Sequence, residues 1–150
     1  MIREARLTDM PRLLEMGRNF FDKANWARVV EWHEDSAEAA LENLIESPDG
    51  VLLVIDIDGG TIVGMAGAII YGFYFNLDHR TGQELFWWTE PQGKGYGLSL
   101  WRELEKQARA QGAQSFQMSN VNGMKSDVLG RLYERNGYTP GESTYLKGFA

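Results

Sequence analysis

The chain of 150 residues has a length that suits one domain over residues 1–150, and it carries no cysteine, two histidines and a formal net charge of −6. Without cysteine there is no disulfide framework, no thiolate nucleophile and no cysteine-based zinc site. His33 and His79 cannot build a histidine-rich metal site alone, so no metal is expected and a reducing cytoplasm is the default compartment, while the acidic balance argues against nucleic acid and suits a cationic small molecule or basic peptide.

The charged start, with Arg3, Glu4 and Arg6, leads into no long apolar core, so neither a signal peptide nor a membrane span is expected. Ile2 to Ala5 reads as a short strand. Thr8 or Asp9 can cap a first helix carrying Leu13, Leu14, Met16, Phe20 and Phe21 at helical spacing, with Pro11 in the first turn, where its missing N–H costs little. A second helix is expected after Asp35 or Ser36, with Ala37, Ala40, Leu41, Leu44 and Ile45 as its inner stripe, and Ser47 to Gly50 stops it. Val51 to Ile57 and Thr61 to Tyr71 are β-branched and apolar, and Asp58-Gly59-Gly60 between them predicts a hairpin. Gly72 to Gly82 then reads as an aromatic and polar turn before a strand over Glu84 to Thr89.

Leu98, Trp101, Leu104, Glu105 and Ala108 follow the helical period up to a cap at Gly112. A short strand over Gln114 to Met118, a helix over Asp127 to Asn136 capped by Gly137, and a final strand over Thr144 to Phe149 complete the series. The order is β-α-α-β-β-β-α-β-α-β. A strand–helix–strand crossover implies that the strands before and after the third helix run parallel, within a mixed α/β fold.

The segment Gln92 to Gly97, QGKGYG, sits between the strand ending at Thr89 and the helix starting near Leu98. Three glycines at alternate positions let a backbone close on a ligand, and free N–H groups feeding a helix N-terminus form an anion site, most often for phosphate. The nucleoside-triphosphate loop needs Ser or Thr after its lysine, whereas Lys94 is followed by Gly95; the dinucleotide fingerprint needs its third glycine further along than Gly97. Gln/Arg-x-x-Gly-x-Gly/Ala does fit, as Gln92, Gly95 and Gly97.

In this motif and in its order of elements, which covers essentially the whole chain, the sequence resembles the GCN5-related N-acetyltransferases, which transfer an acyl group from acyl-coenzyme A. The resemblance implies a mostly antiparallel central sheet with a splayed parallel strand pair, flanked by about four helices. The pair maps to Glu84–Thr89 and Gln114–Ser119. It implies that the pantetheine arm enters the gap and pairs with backbone groups of Phe86, Trp87 and Trp88, as a strand does in β-augmentation. The pyrophosphate is expected on the amides of Gly93, Lys94, Gly95, Tyr96, Gly97 and Leu98, with Gln92 completing the motif. An asparagine after the fifth strand is implied to hold the pantetheine. Asn120 lies nearest the strand end; Asn122 and Ser126 are alternatives.

Leu132-Tyr133-Glu134-Arg135-Asn136-Gly137-Tyr138 resembles the family segment whose tyrosine protonates the departing thiolate, which assigns that role to Tyr133. Attack also needs a neutral amine. Glu84 is the candidate base, placed by the period of two on one face with Phe86 and Trp88, and His79 is a second candidate. The expected activity is acetyl transfer from acetyl-CoA, as co-substrate, to a primary amine of a small molecule or peptide by direct attack in a ternary complex. A non-catalytic acyl-CoA-binding or interaction module of the same fold is the rival, and a domain binding no coenzyme is a third reading. Phe20, Phe21, Trp26 and Trp32 either line an acceptor pocket or fill core, and a homodimer is plausible because exposed edge strands commonly allow one.

Overall fold

A computed structural model of the protein describes residues 1–120 and 125–149. Its elements are β1 (Ile2–Glu4), α1 (Met10–Lys23), α2 (Glu34–Glu46), β2 (Gly50–Asp56), β3 (Ile62–Phe73), β4 (Asn76–Thr89), α3 (Gly97–Ala110), β5 (Ser115–Gln117) and α4 (Ser126–Arg135). One sheet holds the strands in the order β1-β2-β3-β4-β5, antiparallel except for the last pair. The mixed α/β fold expected from the element order is therefore observed.

The central strands alternate between two cores. Leu52, Val54 and Met65 point to α1 and α2, where they meet Leu13, Met16, Leu41 and Leu44. Leu53, Ile55, Val63, Ala66 and Ala68 point the other way, to Leu100, Leu104 and Ala108 of α3. Both faces of β2 are thus covered, which is why Gly50–Asp56 reads as one unbroken buried run rather than a polar-apolar alternation. Arg3 ties β1 to both neighbours: its guanidinium lies 2.9 Å from Asp9 at the start of α1 and 3.0 Å from Asp56 at the end of β2.

Four boundaries differ from the sequence reading, each for a local reason. Asp9 is engaged by Arg3 and by the Arg6 N–H, not by a helix amide, and a 3₁₀ turn over Leu7–Asp9 precedes α1. α2 begins at Glu34 because the His33 ring accepts the Ser36 N–H at 3.2 Å, so the imidazole does the work of the Asp or Ser cap. The stretch Gly72 to Gly82 is not a long turn. β3 and β4 run on as one hairpin with Phe73 paired to Asn76, and a register shift leaves Leu77 to His79 as extra residues.

The fourth difference is at the C-terminal end, where Thr144 to Phe149 forms no strand. Tyr145 is 90 % exposed and Phe149 91 % exposed, so these side chains find nothing to cover them. Strand propensity is a preference for a pleated, half-buried surface, and β5, only three residues long, offers little edge against which one could be built.

Candidate active site

The site is organised by the place where β5 leaves β4. Thr81, Gly82 and Gln83 pair with Ser115, Phe116 and Gln117, and there the parallel ladder ends. From Glu84 to Thr89 the outer edge of β4 has no strand beside it among the described residues. Phe86, Trp87 and Trp88 lie on this free edge, where the resemblance put the pantetheine arm. An unpaired row of backbone groups is a template for an extended partner.

Immediately past the last rung β4 carries a bulge: Ala68 pairs with Glu84 but Gly67 pairs with Phe86, so Leu85 is the extra residue. The bulge corrects one expectation. Gly82 faces α3, because a Cβ there would meet Phe116 and Ala108, and Glu84 shares that face two residues on. Beyond Leu85 the alternation is reversed. Phe86 and Trp88 pack with the α1 and α2 core, Trp87 with the α3 core, so Glu84 stands on the face opposite to Phe86 and Trp88.

On that α3 face Glu84 and Tyr133 converge on one residue, Ser119. The Ser119 N–H donates to the Glu84 carboxylate, and the Tyr133 hydroxyl donates to the Ser119 carbonyl at 2.8 Å. Glu84 is only 5 % exposed, and this burial pushes its pKa up to about 8 against the pull of the Ser119 amide. Tyr133 is 7 % exposed; burial, then the neighbouring Glu84 and Tyr138, push its pKa upward too. The phenol is held in an aromatic frame, with Trp101 at 5.5 Å and Tyr138 at 5.8 Å between ring centres, and Tyr138 is fixed by a 2.6 Å bond to Glu105.

His79 lies near the β3–β4 turn, before the parallel ladder, with its Nε2 2.8 Å from the Ser115 hydroxyl. Among the aromatic residues near α1, Phe20 packs on Phe86 and Trp88, and Phe21 on Trp32, while Trp26 is half exposed. Asn120 donates to the Ser126 carbonyl at 2.8 Å, across the opening of α4. Asn122 falls outside the described residues.

The glycine loop joins β4 to α3 through a 3₁₀ turn, Pro91–Gly93. Of the six amides assigned to it, Gly93, Lys94 and Tyr96 are spent inside the turn, donating to Glu90, Pro91 and Gly93. The amides of Gly95, Gly97 and Leu98 have no partner among the described residues. Nor has that of Ser99, which the sequence reading did not include although it too falls in the first turn of α3. Gln92 is exposed on the turn at the rim of a groove that also contains Arg12 and Val63; Lys94 is exposed. The Trp87 indole N–H donates to the Gly97 carbonyl at 3.1 Å and so fastens this loop to the free edge of β4.

The three glycines have different reasons to be glycine. A Cβ on Gly93 would lie 2.5 Å from the Val63 carbonyl oxygen; Gly95 has φ +99°; Gly97 has room, its nearest neighbours being at 3.8 Å. Two are demanded by the fold, whereas Gly97 is not. Among the described residues no three His, Asp or Glu side chains cluster to hold a metal ion, and no helix is long and apolar enough to cross a membrane.

A glycine loop with free amides feeds a 14-residue helix beside a strand edge that β5 leaves unpaired, an arrangement whose donors can receive an anionic group next to an extended segment. The chain belongs to the acetyltransferase (GNAT) family, whose model matches residues 17–138. No curated protein matches it. Solved structures share the fold over nearly the whole chain: a transcriptional regulator from Bacillus halodurans has TM-score 0.73 at 20% identity and covers 99% of both chains. An acetyltransferase from Clostridium acetobutylicum solved with acetyl-CoA has TM-score 0.74 at 17% identity, covering 98% of this chain and 95% of its own. The aminoglycoside N-acetyltransferase AAC(6')-Iy, solved with CoA, has TM-score 0.74 at 12% identity over 98% and 92%.

Gly93→Ala should cost roughly 1–3 kcal/mol of stability by forcing its Cβ into the Val63 carbonyl, as read from urea denaturation. Gly97→Val should unfold near the wild-type midpoint yet lose acetyl-CoA binding by calorimetry; unchanged affinity would remove the loop from the coenzyme site. Glu84 has its folded pKa raised, so its contribution to stability is fully present below its unfolded value, about 4.5, and is lost as pH rises through about 8. Glu84→Gln should therefore leave the thermal midpoint little changed near pH 4 and raise it at pH 9. Parallel melting curves at both pH values would refute a buried, protonated Glu84.

Proposed function

We propose that the protein is an acetyl-CoA-dependent N-acetyltransferase that moves an acetyl group to a primary amine by direct attack within a ternary complex. The observation that carries this reading is the meeting of Glu84 and Tyr133 on Ser119 beside the free edge of β4. The pyrophosphate is assigned to the free amides of Gly95, Gly97 and Leu98, with Lys94 adding charge, and the arm to the edge Phe86 to Trp88. The pantetheine-holding side chain is assigned to Asn120. A cytoplasmic homodimer is the setting this reading favours.

In this mechanism the amine nitrogen attacks the thioester carbonyl and the carbonyl oxygen takes negative charge, which a backbone N–H on the bulged strand stabilises. Glu84 accepts a proton from the amine; a base with pKa about 8 is half ionised at that pH and so matched to near-neutral operation. The C–S bond then breaks, and Tyr133 gives its hydroxyl proton to the departing thiolate. Burial keeps the phenol protonated at neutral pH, so the acid is always loaded. The solved relatives with acetyl-CoA and CoA support the choice of donor.

A second reading is supported by one observation. The Tyr133 hydroxyl is already committed to the Ser119 carbonyl, which suits a structural phenol in a coenzyme-binding module without turnover. Release of free CoA, measured with a panel of amines, peptides and aminoglycosides, separates the two. The transfer reading predicts release by the wild type, with Tyr133→Phe folding, binding acetyl-CoA and losing at least about a hundredfold in turnover, the usual scale of a positioned acid. Full activity of Tyr133→Phe at every pH would remove that residue from the mechanism. kcat/KM should rise with pH through about 8 in the wild type, and this limb should vanish in Glu84→Gln.

A further inference from the structure

The last rung of the parallel ladder, Gln83 opposite Gln117, carries a polar arc on the side chains facing away from α3. The Tyr71 hydroxyl donates to Gln83 Oε1 at 2.8 Å, and Gln117 Nε2 donates to the Tyr71 oxygen at 3.2 Å and to the buried Thr81 hydroxyl at 3.3 Å. Both hydrogens of the Gln117 amide are thereby used. Its Oε1, and the Nε2 of Gln83, are left without partners among the described residues. The arc bears no formal charge, and Tyr71 and Gln83 are half buried while Gln117 is exposed.

Its position matters as much as its chemistry. The next residue on β4 is Glu84, and Ser119 lies two residues beyond Gln117, both at the start of the gap and both serving the α3 face. The free loop amides and α3 take up that other face and the far end of β4. A second substrate at the vertex on the α1 and α2 side would thus meet the arc with its reacting nitrogen aimed into the gap. We propose that Tyr71, Gln83 and Gln117 recognise the acceptor and select an amine bearing a neutral hydrogen-bonding group, hydroxyl or amide, close to the reacting nitrogen. This rests on the transfer reading for the identity of the amine as acceptor. A spare carbonyl oxygen and a spare NH₂ supply one accepting group and one donating group with two N–H bonds, which a hydroxyl or an amide can engage on both sides, which an alkyl group cannot, and which a carboxylate meets only in part.

Calorimetry on CoA-loaded protein tests the assignment without requiring turnover. The probes are glucosamine, alaninamide, alanine and n-butylamine, for the wild type, Tyr71→Phe and Gln117→Leu. Glucosamine and alaninamide should bind more tightly than the other two. Gln117→Leu removes the spare carbonyl oxygen and should weaken them about threefold to tenfold, the worth of one hydrogen bond, while Tyr71→Phe removes the bond that orients Gln83 and should weaken them by less, with acetyl-CoA affinity unchanged in both. The order of glucosamine and alaninamide tells sugar hydroxyls from amides. Equal binding of all four probes, no binding of any, or no effect of either substitution would overturn the inference. A parallel loss of acetyl-CoA affinity would also overturn it, by making the arc a clamp on the strands. If the expected binding pattern appears without CoA release, the transfer reading fails and the recognition face stands.

Discussion

The parting of β5 from β4 after three paired residues is the constraint on which the site depends. A parallel ladder that continued would bury the β4 edge and leave no room for an extended arm. Two features keep it from continuing. The extra residue Leu85 kinks β4 one step past the last rung, and bulges both bend a strand and interrupt its pairing. Beside it, Trp101, Tyr133 and Tyr138 pack edge-on and tilted against one another on the α3 face, so the opening is bordered by aromatic side chains rather than closed by a strand. The bulge and the aromatic border together turn an edge strand, ordinarily a hazard for aggregation, into a defined slot.

The same bulge decides which groups can meet. Without Leu85, Glu84 would share a face with Phe86 and Trp88 and look into the core beneath α1; with it, Glu84 shares the α3 face with Trp87. Trp87 in turn reaches the Gly97 carbonyl. One strand therefore presents a carboxyl to Ser119, an indole to the glycine loop and a free backbone edge between them. Burial of the carboxyl is costly for its ionised form, and Ser119 offsets that cost with one amide.

Much of this arrangement was legible from residue types whose roles are local. Gly59 with φ +69° makes the β2–β3 turn as its Asp-Gly-Gly setting implied, and Gly95 with φ +99° marks the loop before α3. Of the stripe Leu98, Trp101, Leu104, Glu105 and Ala108, the middle and last members Trp101, Leu104 and Ala108 are buried, whereas Leu98 and Glu105 are exposed and Leu100, outside that stripe, fills the core. What escaped the sequence depends on partners far along the chain. Leucine carries no bulge signal, so the reversal of faces at Leu85 could not be seen, and the alternation rule failed at that residue. The amides of Gly93, Lys94 and Tyr96 are consumed by a 3₁₀ turn that no glycine pattern announces. Thr144 to Phe149 has strand-like residues but no neighbouring edge, and propensity without a partner does not make a strand.

Glu84 and Tyr133 are coupled in a direction that suits sequential proton transfer. Negative charge on Glu84 is one of the causes that raise the Tyr133 pKa, so an ionised base makes the phenol a weaker acid and holds its proton in place. In the proposed transfer, Glu84 becomes neutral on taking the proton of the attacking amine, and that part of the upward push disappears. On that proposal Tyr133 becomes a better donor as the thiolate begins to leave. Because Ser119 receives one group on its N–H and the other on its carbonyl, any movement of this peptide changes both contacts together. The proposed order of base before acid then follows from electrostatics between two buried side chains and needs no conformational switch.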